Sequence, residues 1–203
     1  MSKLKTFYRA TIVLFGLLLG ACSLVPQHAS TQVEAAPNIK ITLPTPASLG
    51  HSLTASQLIT ASWQVAGNKK TEQLPVQLQV TNQDVVLAGF SSWGTRILSL
   101  SYDGHKVKTE VLNGLQQSLP QPEQVLFNLM LTLWPSSAWE GPLNKVSWRM
   151  VDTPYSRTIV DGDGESVIVI QYSSSNHLEG DIEFHHQKQA FSISIQTLQH
   201  QIN

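Results

Sequence analysis

The chain is poor in nearly everything that announces a chemistry. Of its 203 residues one is cysteine and three are methionine, 13% are charged and 7% aromatic. One cysteine excludes an internal disulfide framework and a multi-cysteine zinc site. No apolar run approaches the roughly 20 residues that a helix needs to cross a bilayer. There is no excess of positive charge either, with 13 Lys and Arg against 14 Asp and Glu. Lys3, Lys5 and Arg9 precede every acidic residue, so ten cations face 14 anions beyond residue 22. A body without a basic cluster lacks the electrostatic footprint for phosphate backbones, and nucleic acid is not expected as a partner. The 41% hydrophobic content over this length is enough for a real core, which rules out a disordered chain or a collagen.

Catalytic motifs are missing as well. The sequence has no G-x-S-x-G elbow, no H-E-x-x-H zinc motif and no phosphate loop of the G-x-x-x-x-G-K type. Asp161-Gly162-Asp163-Gly164-Glu165 opens like a calcium loop. An EF-hand needs Gly at the sixth position and a bidentate Glu at the twelfth, where this chain has Ser166 and Tyr172, so a hairpin turn explains the segment better. His185 and His186 are adjacent on an expected strand and point to opposite faces, which does not suit one metal. The expectation is a protein with no catalytic residue, no metal and no cofactor, that is, not an enzyme.

What is present begins at the N-terminus. Lys3, Lys5 and Arg9 lead into an apolar run over residues 10–19, the pattern of a signal peptide spanning residues 1–21. Leu19-Gly20-Ala21-Cys22 resembles the lipobox of bacterial lipoproteins. That resemblance implies cleavage before Cys22, diacylglycerol on its thiol and acylation of the new amine. Several acyl chains, at about 0.8 kcal/mol per buried methylene, make release from a membrane very slow. Ser23 follows where enterobacterial sorting reads an Asp as retention, so the resemblance implies an outer-membrane anchor with the domain in the periplasm. Residues 22–46 hold four of the ten prolines and no aromatic residue. They read as a lipidated N-terminus and flexible tether with a reach of about 25 Å, followed by one domain over residues 47–203.

Within that domain the apolar pattern has mostly period two. Residues 58–65, 74–80, 85–90, 96–102, 106–112, 145–151, 157–160, 165–172, 178–186 and 191–198 read as strands. Asp103-Gly104 supplies the positive φ angles of a type I′ turn between two of them. Residues 122–134 break the alternation with an apolar helix whose polar stripe is only Gln124, Asn128 and Thr132. Such a helix is buried in protein or bounds an apolar cavity. The fold class is therefore mainly β with some helix (α+β), an incomplete antiparallel barrel of about 9–11 strands with a helical lid or plug.

The succession of lipobox, tether, strands, Phe90-Ser91-Ser92-Trp93-Gly94-Thr95-Arg96, Leu98-Ser99-Leu100-Ser101-Tyr102-Asp103-Gly104 and an apolar helix ending in Leu133-Trp134-Pro135 resembles the LolB-like outer-membrane lipoproteins. It is most similar to the LolB-like family often encoded beside aryl-polyene and fatty-acid-type biosynthesis enzymes. The resemblance covers about residues 43–198. It implies a LolA/LolB-like barrel enclosing an acyl-chain cavity. It also places Trp93, between Ser92 and Gly94, where LolB carries a protruding membrane-contacting leucine in a Pro-Leu-Gly stretch.

On this reading Leu126, Leu129, Met130, Leu133, Trp134 and Phe90 line the cavity, and Arg96 anchors a lipid headgroup at its mouth. The partners expected are outer-membrane lipid, a lipid or lipoprotein cargo and a periplasmic carrier protein. The function expected is binding of the acyl part of a lipid or lipoprotein and its delivery to the membrane. A structural docking lipoprotein of an envelope or biosynthetic assembly is the alternative, and an acyl-lipid-modifying enzyme a weaker one.

Overall fold

The computed structural model describes residues 31–115, 120–189 and 191–203. The expected signal peptide, Cys22 and the first part of the tether lie outside the described residues. The strands are β1 (Gln32–Ala36), β2 (Ile39–Thr42), β3 (Leu53–Val65), β4 (Asn68–Val80), β5 (Val85–Phe90), β6 (Arg96–Tyr102), β7 (Val107–Val111), β8 (Arg149–Thr153), β9 (Ser156–Val160), β10 (Ser166–Tyr172), β11 (Asp181–His186) and β12 (Phe191–Ile202). Helices α1 (Pro122–Leu133) and α2 (Ser136–Asn144) separate β7 from β8. Ten strands form one antiparallel sheet in the order β7-β6-β5-β4-β3-β12-β11-β10-β9-β8, and β1 pairs with β2 alone. The sheet ends at β7 and β8 without closing, which is the incomplete barrel expected from the alternation.

Period-two patterning explains which face is filled. Leu53 and Ala55 of β3, Val76, Leu78 and Val80 of β4, Val85 and Leu87 of β5, Leu98, Leu100 and Tyr102 of β6, and Ile182 and Phe184 of β11 are all buried on the inner face. Helix α1 crosses that face, and none of its residues is exposed. Leu126, Phe127 and Met130 are fully buried, so the helix is a plug inside the curved sheet. Pro122 opens it, where its fixed φ and missing N–H are tolerated. Thr132, part of the expected polar stripe, is buried, and its hydroxyl donates to the Leu129 carbonyl at 2.7 Å.

Several expectations need correction. The tether does not run to residue 46, because β1, β2 and a 3-10 turn at Pro46–Leu49 belong to the fold. Val33, Ala35, Ala36, Ile41, Leu43 and Leu49 are buried there, joined by a bond between the His186 Nε2 and the Ala35 carbonyl at 3.3 Å. Strand β4 starts at Asn68, because Ala66 and Gly67 take φ of 51° and 79° and close a two-residue turn. The β6–β7 turn is shifted by one residue from the expected Asp-Gly centre. The Asp103 N–H donates to the Lys106 carbonyl at 3.4 Å, and of the enclosed pair Gly104 and His105 only the glycine has positive φ. A type I′ turn would need positive φ at both. Helix α2 was not expected, since Gly141 and Pro142 lie inside it.

Candidate functional site

The β5–β6 connection is a three-residue loop, Ser92-Trp93-Gly94. The Ser91 N–H donates to the Thr95 carbonyl at 2.8 Å, the Gly94 N–H to the Ser91 carbonyl at 2.9 Å, and the Thr95 N–H to the Ser91 Oγ at 3.2 Å. Gly94 has φ of 78°, the left-handed residue that a three-residue hairpin loop requires. These bonds fix a loop whose middle residue has nothing to pack on, and Trp93 is 92% exposed. Removing an indole of about 200 Å² from water is worth about 5 kcal/mol, so the exposed ring is a strong candidate contact for an apolar or interfacial partner.

Pairing registers place this loop among its neighbours. Gly89 lies opposite both Val76 and Leu98, Trp63 opposite Phe191, and His186 opposite Ile168, so the β3–β4 turn, the Trp93 loop and the β11–β12 turn share one end of the sheet. Here the inner face is only partly covered, and Ile59, Leu74, Val111, Val125, Phe191 and Ile193 are half-buried against the core. Helix α1 begins at this end. Between it and the edge of the sheet lies a cleft of about 140 Å³, lined by Leu98, Leu100, Thr109, Val111, Pro120, Gln121, Pro122 and Val125. It is mainly apolar and has room for a short length of acyl chain.

The residues expected to line a cavity are not at this cleft. Leu126, Leu129, Met130 and Trp134 are buried in the closed core, and Leu133 packs against it. The stretch from Pro120 to Val125 faces the cleft instead. Phe90 is half-buried on the outer side of β5, since Val85, Leu87 and Gly89 take the inner positions. Arg96 does not line this cleft. Its guanidinium stands 3.9 Å from the Glu110 carboxylate, with side-chain exposures of 60% and 82%, a surface pair of little energetic consequence.

A buried polar cluster that sequence reasoning missed holds the other end of α1. Arg157, 2% exposed on β9, donates from Nη1 to the Leu131 and Trp134 carbonyls, both at 2.7 Å. Its Nε and Nη2 reach the two Asp152 carboxylate oxygens at 3.2 and 2.8 Å. A cation therefore caps carbonyls at and just beyond the helix C-terminus and complements its dipole. The Tyr172 hydroxyl donates to the Thr132 carbonyl at 3.0 Å, and burial pushes its pKa up to about 12. His177 stacks on Tyr172 with ring centroids 3.5 Å apart, and burial, with Arg157 nearby, lowers its pKa. The signal available in the sequence was parity, because Arg157 alternates with the inward Ile159.

A second cleft, about 290 Å³, lies between α2 and β8 and is lined by Ser136, Glu140, Leu143, Asn144, Arg149, Met150 and Asp152. It is the more polar of the two and lies far from the Trp93 loop in chain pairing. The calcium-like segment forms the β9–β10 turn, in which Asp161 Oδ1 accepts from the Asp163 and Glu165 N–H groups while Lys188 Nζ binds its Oδ2 at 2.7 Å. Those bonds hold the Asp161 carboxyl below its usual pKa.

Three solved structures are similar in outline. A LolA superfamily protein from Nitrosomonas europaea matches with a TM-score of 0.40 at 7% identity, covering 75% of this chain and 86% of that one. A DUF1329 family protein from Desulfovibrio piger gives 0.34 at 8%, covering 80% and 94%. A domain assigned to outer membrane lipoprotein sorting, from Vibrio parahaemolyticus, gives 0.34 at 8%, covering 75% and 86%. Likeness at this level identifies no shared function. No curated protein matches the sequence. Residues 54–199, from early in β3 to late in β12, match the family model described as "Protein of unknown function (DUF3261)", and the chain belongs to that family.

Proposed function

We propose that this is a LolB-like lipoprotein, anchored through Cys22 in the outer membrane, which takes up the acyl part of a lipid or lipoprotein and passes it to the membrane without making or breaking a bond. The observation that carries the reading is the 92% exposed Trp93, on a tightly bonded loop at the same end as the apolar cleft between α1 and the β6–β7 edge. Tryptophan suits a membrane interface because its large apolar face ends in one N–H. Transfer needs only a modest difference in affinity between cleft and bilayer, since a site that buried every methylene more favourably would keep its cargo.

The test is native mass spectrometry of the purified protein with lipid extraction, followed by uptake of a fluorescent fatty acid. Bound lipid or saturable uptake supports the reading. Trp93→Asp should leave the thermal midpoint unchanged within error, since the ring packs on nothing, and abolish delivery to vesicles. Unchanged delivery would remove the membrane-contact role. The filled interior around Leu126, Phe127 and Met130 favours a second reading, a packed lipoprotein that docks on an envelope partner. A clean apo mass with no fatty-acid uptake would select it.

A further inference from the structure

The β3–β4 and β5–β6 hairpins leave the same end of the sheet on neighbouring strands, the β3–β4 tip reaching farther, and their ends differ in composition from the rest of the protein. Residues 60–73 and 88–99 hold Lys69, Lys70 and Arg96 with Glu72 as their one acidic residue, and Glu110 stands 3.9 Å from Arg96, in a chain that beyond residue 22 has ten cations and 14 anions. The same two stretches hold Trp63, Phe90 and Trp93. Asn68, Lys69 and Lys70 are exposed, and Lys70 pairs across the hairpin with Trp63.

Strand β4 pairs with β5 only from Val76 opposite Gly89 to Val80 opposite Val85. Residues 68–75 therefore run past β5 by roughly 26 Å, at about 3.3 Å per residue, with a free flank toward the Trp93 loop. Lysines on a free strand edge discourage pairing with another chain. That role alone does not account for a bare tryptophan and a third cation on the neighbouring tip.

We propose that the two tips together form a docking surface for an anionic phospholipid bilayer, with Trp93 entering the interface and Lys69, Lys70 and Arg96 meeting headgroup phosphates. The inference deepens the delivery reading, on which it rests, by naming the membrane that the protein recognises. Mixed aromatic and basic side chains are the residues that settle at a bilayer interface. Each basic side chain close to an anionic surface raises partitioning about fivefold. The requirement for anionic lipid adds to whatever hold the acyl anchor supplies.

The experiment reconstitutes the full chain into vesicles of phosphatidylcholine, or of phosphatidylcholine and phosphatidylglycerol in equal parts, with brominated acyl chains as quenchers of indole fluorescence. Trp93→Phe identifies the share due to Trp93. That share should be quenched several-fold more in the mixed vesicles and should fall as salt is raised. Replacing Lys69, Lys70 and Arg96 together by Gln should reduce it to the phosphatidylcholine level, with an unchanged circular dichroism spectrum. Equal quenching in both vesicles, or a triple variant that behaves as the parent, overturns the proposal. Fatty-acid uptake measured on the same samples separates the two readings. Uptake with composition-blind quenching defeats the docking surface alone, and composition-dependent quenching without uptake defeats delivery while the docking surface stands.

Discussion

The two ends of α1 are held by opposite means. At its C-terminus a buried guanidinium, itself held by a carboxylate, and a tyrosine hydroxyl donate to the carbonyls of Leu131, Trp134 and Thr132, and the Trp134 indole N–H donates to the Thr45 carbonyl at 3.1 Å. At its N-terminus Pro122 and Val125 border an apolar cleft, with half-buried side chains and an exposed tryptophan nearby. Directional bonds fix position, whereas apolar contact is non-directional and survives a change of partner. Directional bonding is therefore concentrated at the latched end, and the exchange proposed above falls at the open end.

Arg157 gives the largest expected effect. Arg157→Met leaves the Asp152 carboxylate and the Leu131 and Trp134 carbonyls without their buried partner, and should cost about 3–5 kcal/mol in denaturant unfolding. Arg157→Lys should recover only part of that, because an ammonium cannot grip a carboxylate in two places and reach two carbonyls as well. A loss no larger than that of an ordinary surface substitution would show that the latch is dispensable and dissolve the contrast between the ends.

Smaller effects are expected from the titrating groups. Tyr172→Phe removes one bond to a buried carbonyl and should cost about 1 kcal/mol. Burial raises the pKa of both Tyr172 and Tyr102 from 10.0 to about 12, so their contribution is whole below pH 10 and declines as the pH rises toward 12. His186 titrates on the acid side. Burial lowers its pKa below 6.5, and its Nδ1 accepts the Gln189 N–H at 3.1 Å, a bond that protonation breaks. The folded state then binds fewer protons than the unfolded chain, so stability holds above about pH 6.5 and falls as acid is added. A thermal series between pH 7 and 5 should fall less steeply in His186→Gln, with His177 supplying the remainder. An unchanged slope would place the acid response elsewhere.

How much of this was legible in the sequence depended on how each residue advertises burial. β5 and β6 alternate large apolar side chains and were readable to the residue, as was the start of α1 at Pro122. β1 and β2 were hidden because Ala35 and Ala36 do their burying with one methyl group each and sit between prolines. The distal half of β4, Asn68 to Gln73, is exposed throughout and carries no apolar alternation, so only its turn and its pairing with β3 make it a strand. Trp93 stood out because a loop of small residues offers a large ring nothing to cover it. The helix residues expected to line a cavity lie in the core and not at the cleft, and an apolar helix surface looks the same to a sequence whether it faces a lipid or the inside of a sheet. What separated the two was the position of the neighbouring strands, a long-range fact.

The smallest effect on stability belongs to Glu110, and it sharpens the comparison most. Its carboxylate stands 3.9 Å from Arg96 with both side chains largely in water, so Glu110→Gln should leave the unfolding midpoint within error. The same change removes the carboxylate nearest Arg96 and makes the tip of the molecule more positive. Screening at physiological salt extends over about 8 Å, so a carboxylate this close weakens the pull of Arg96 on an anionic surface. Quenching of Trp93 in phosphatidylglycerol-containing vesicles should therefore increase while phosphatidylcholine vesicles show no change. At the latched end removal of one charge costs the fold; at the open end it should alter only what the surface attracts. If Glu110→Gln destabilised the protein, or left anionic vesicle contact untouched, Arg96 would belong to the scaffold and the division of labour along α1 would have to be redrawn.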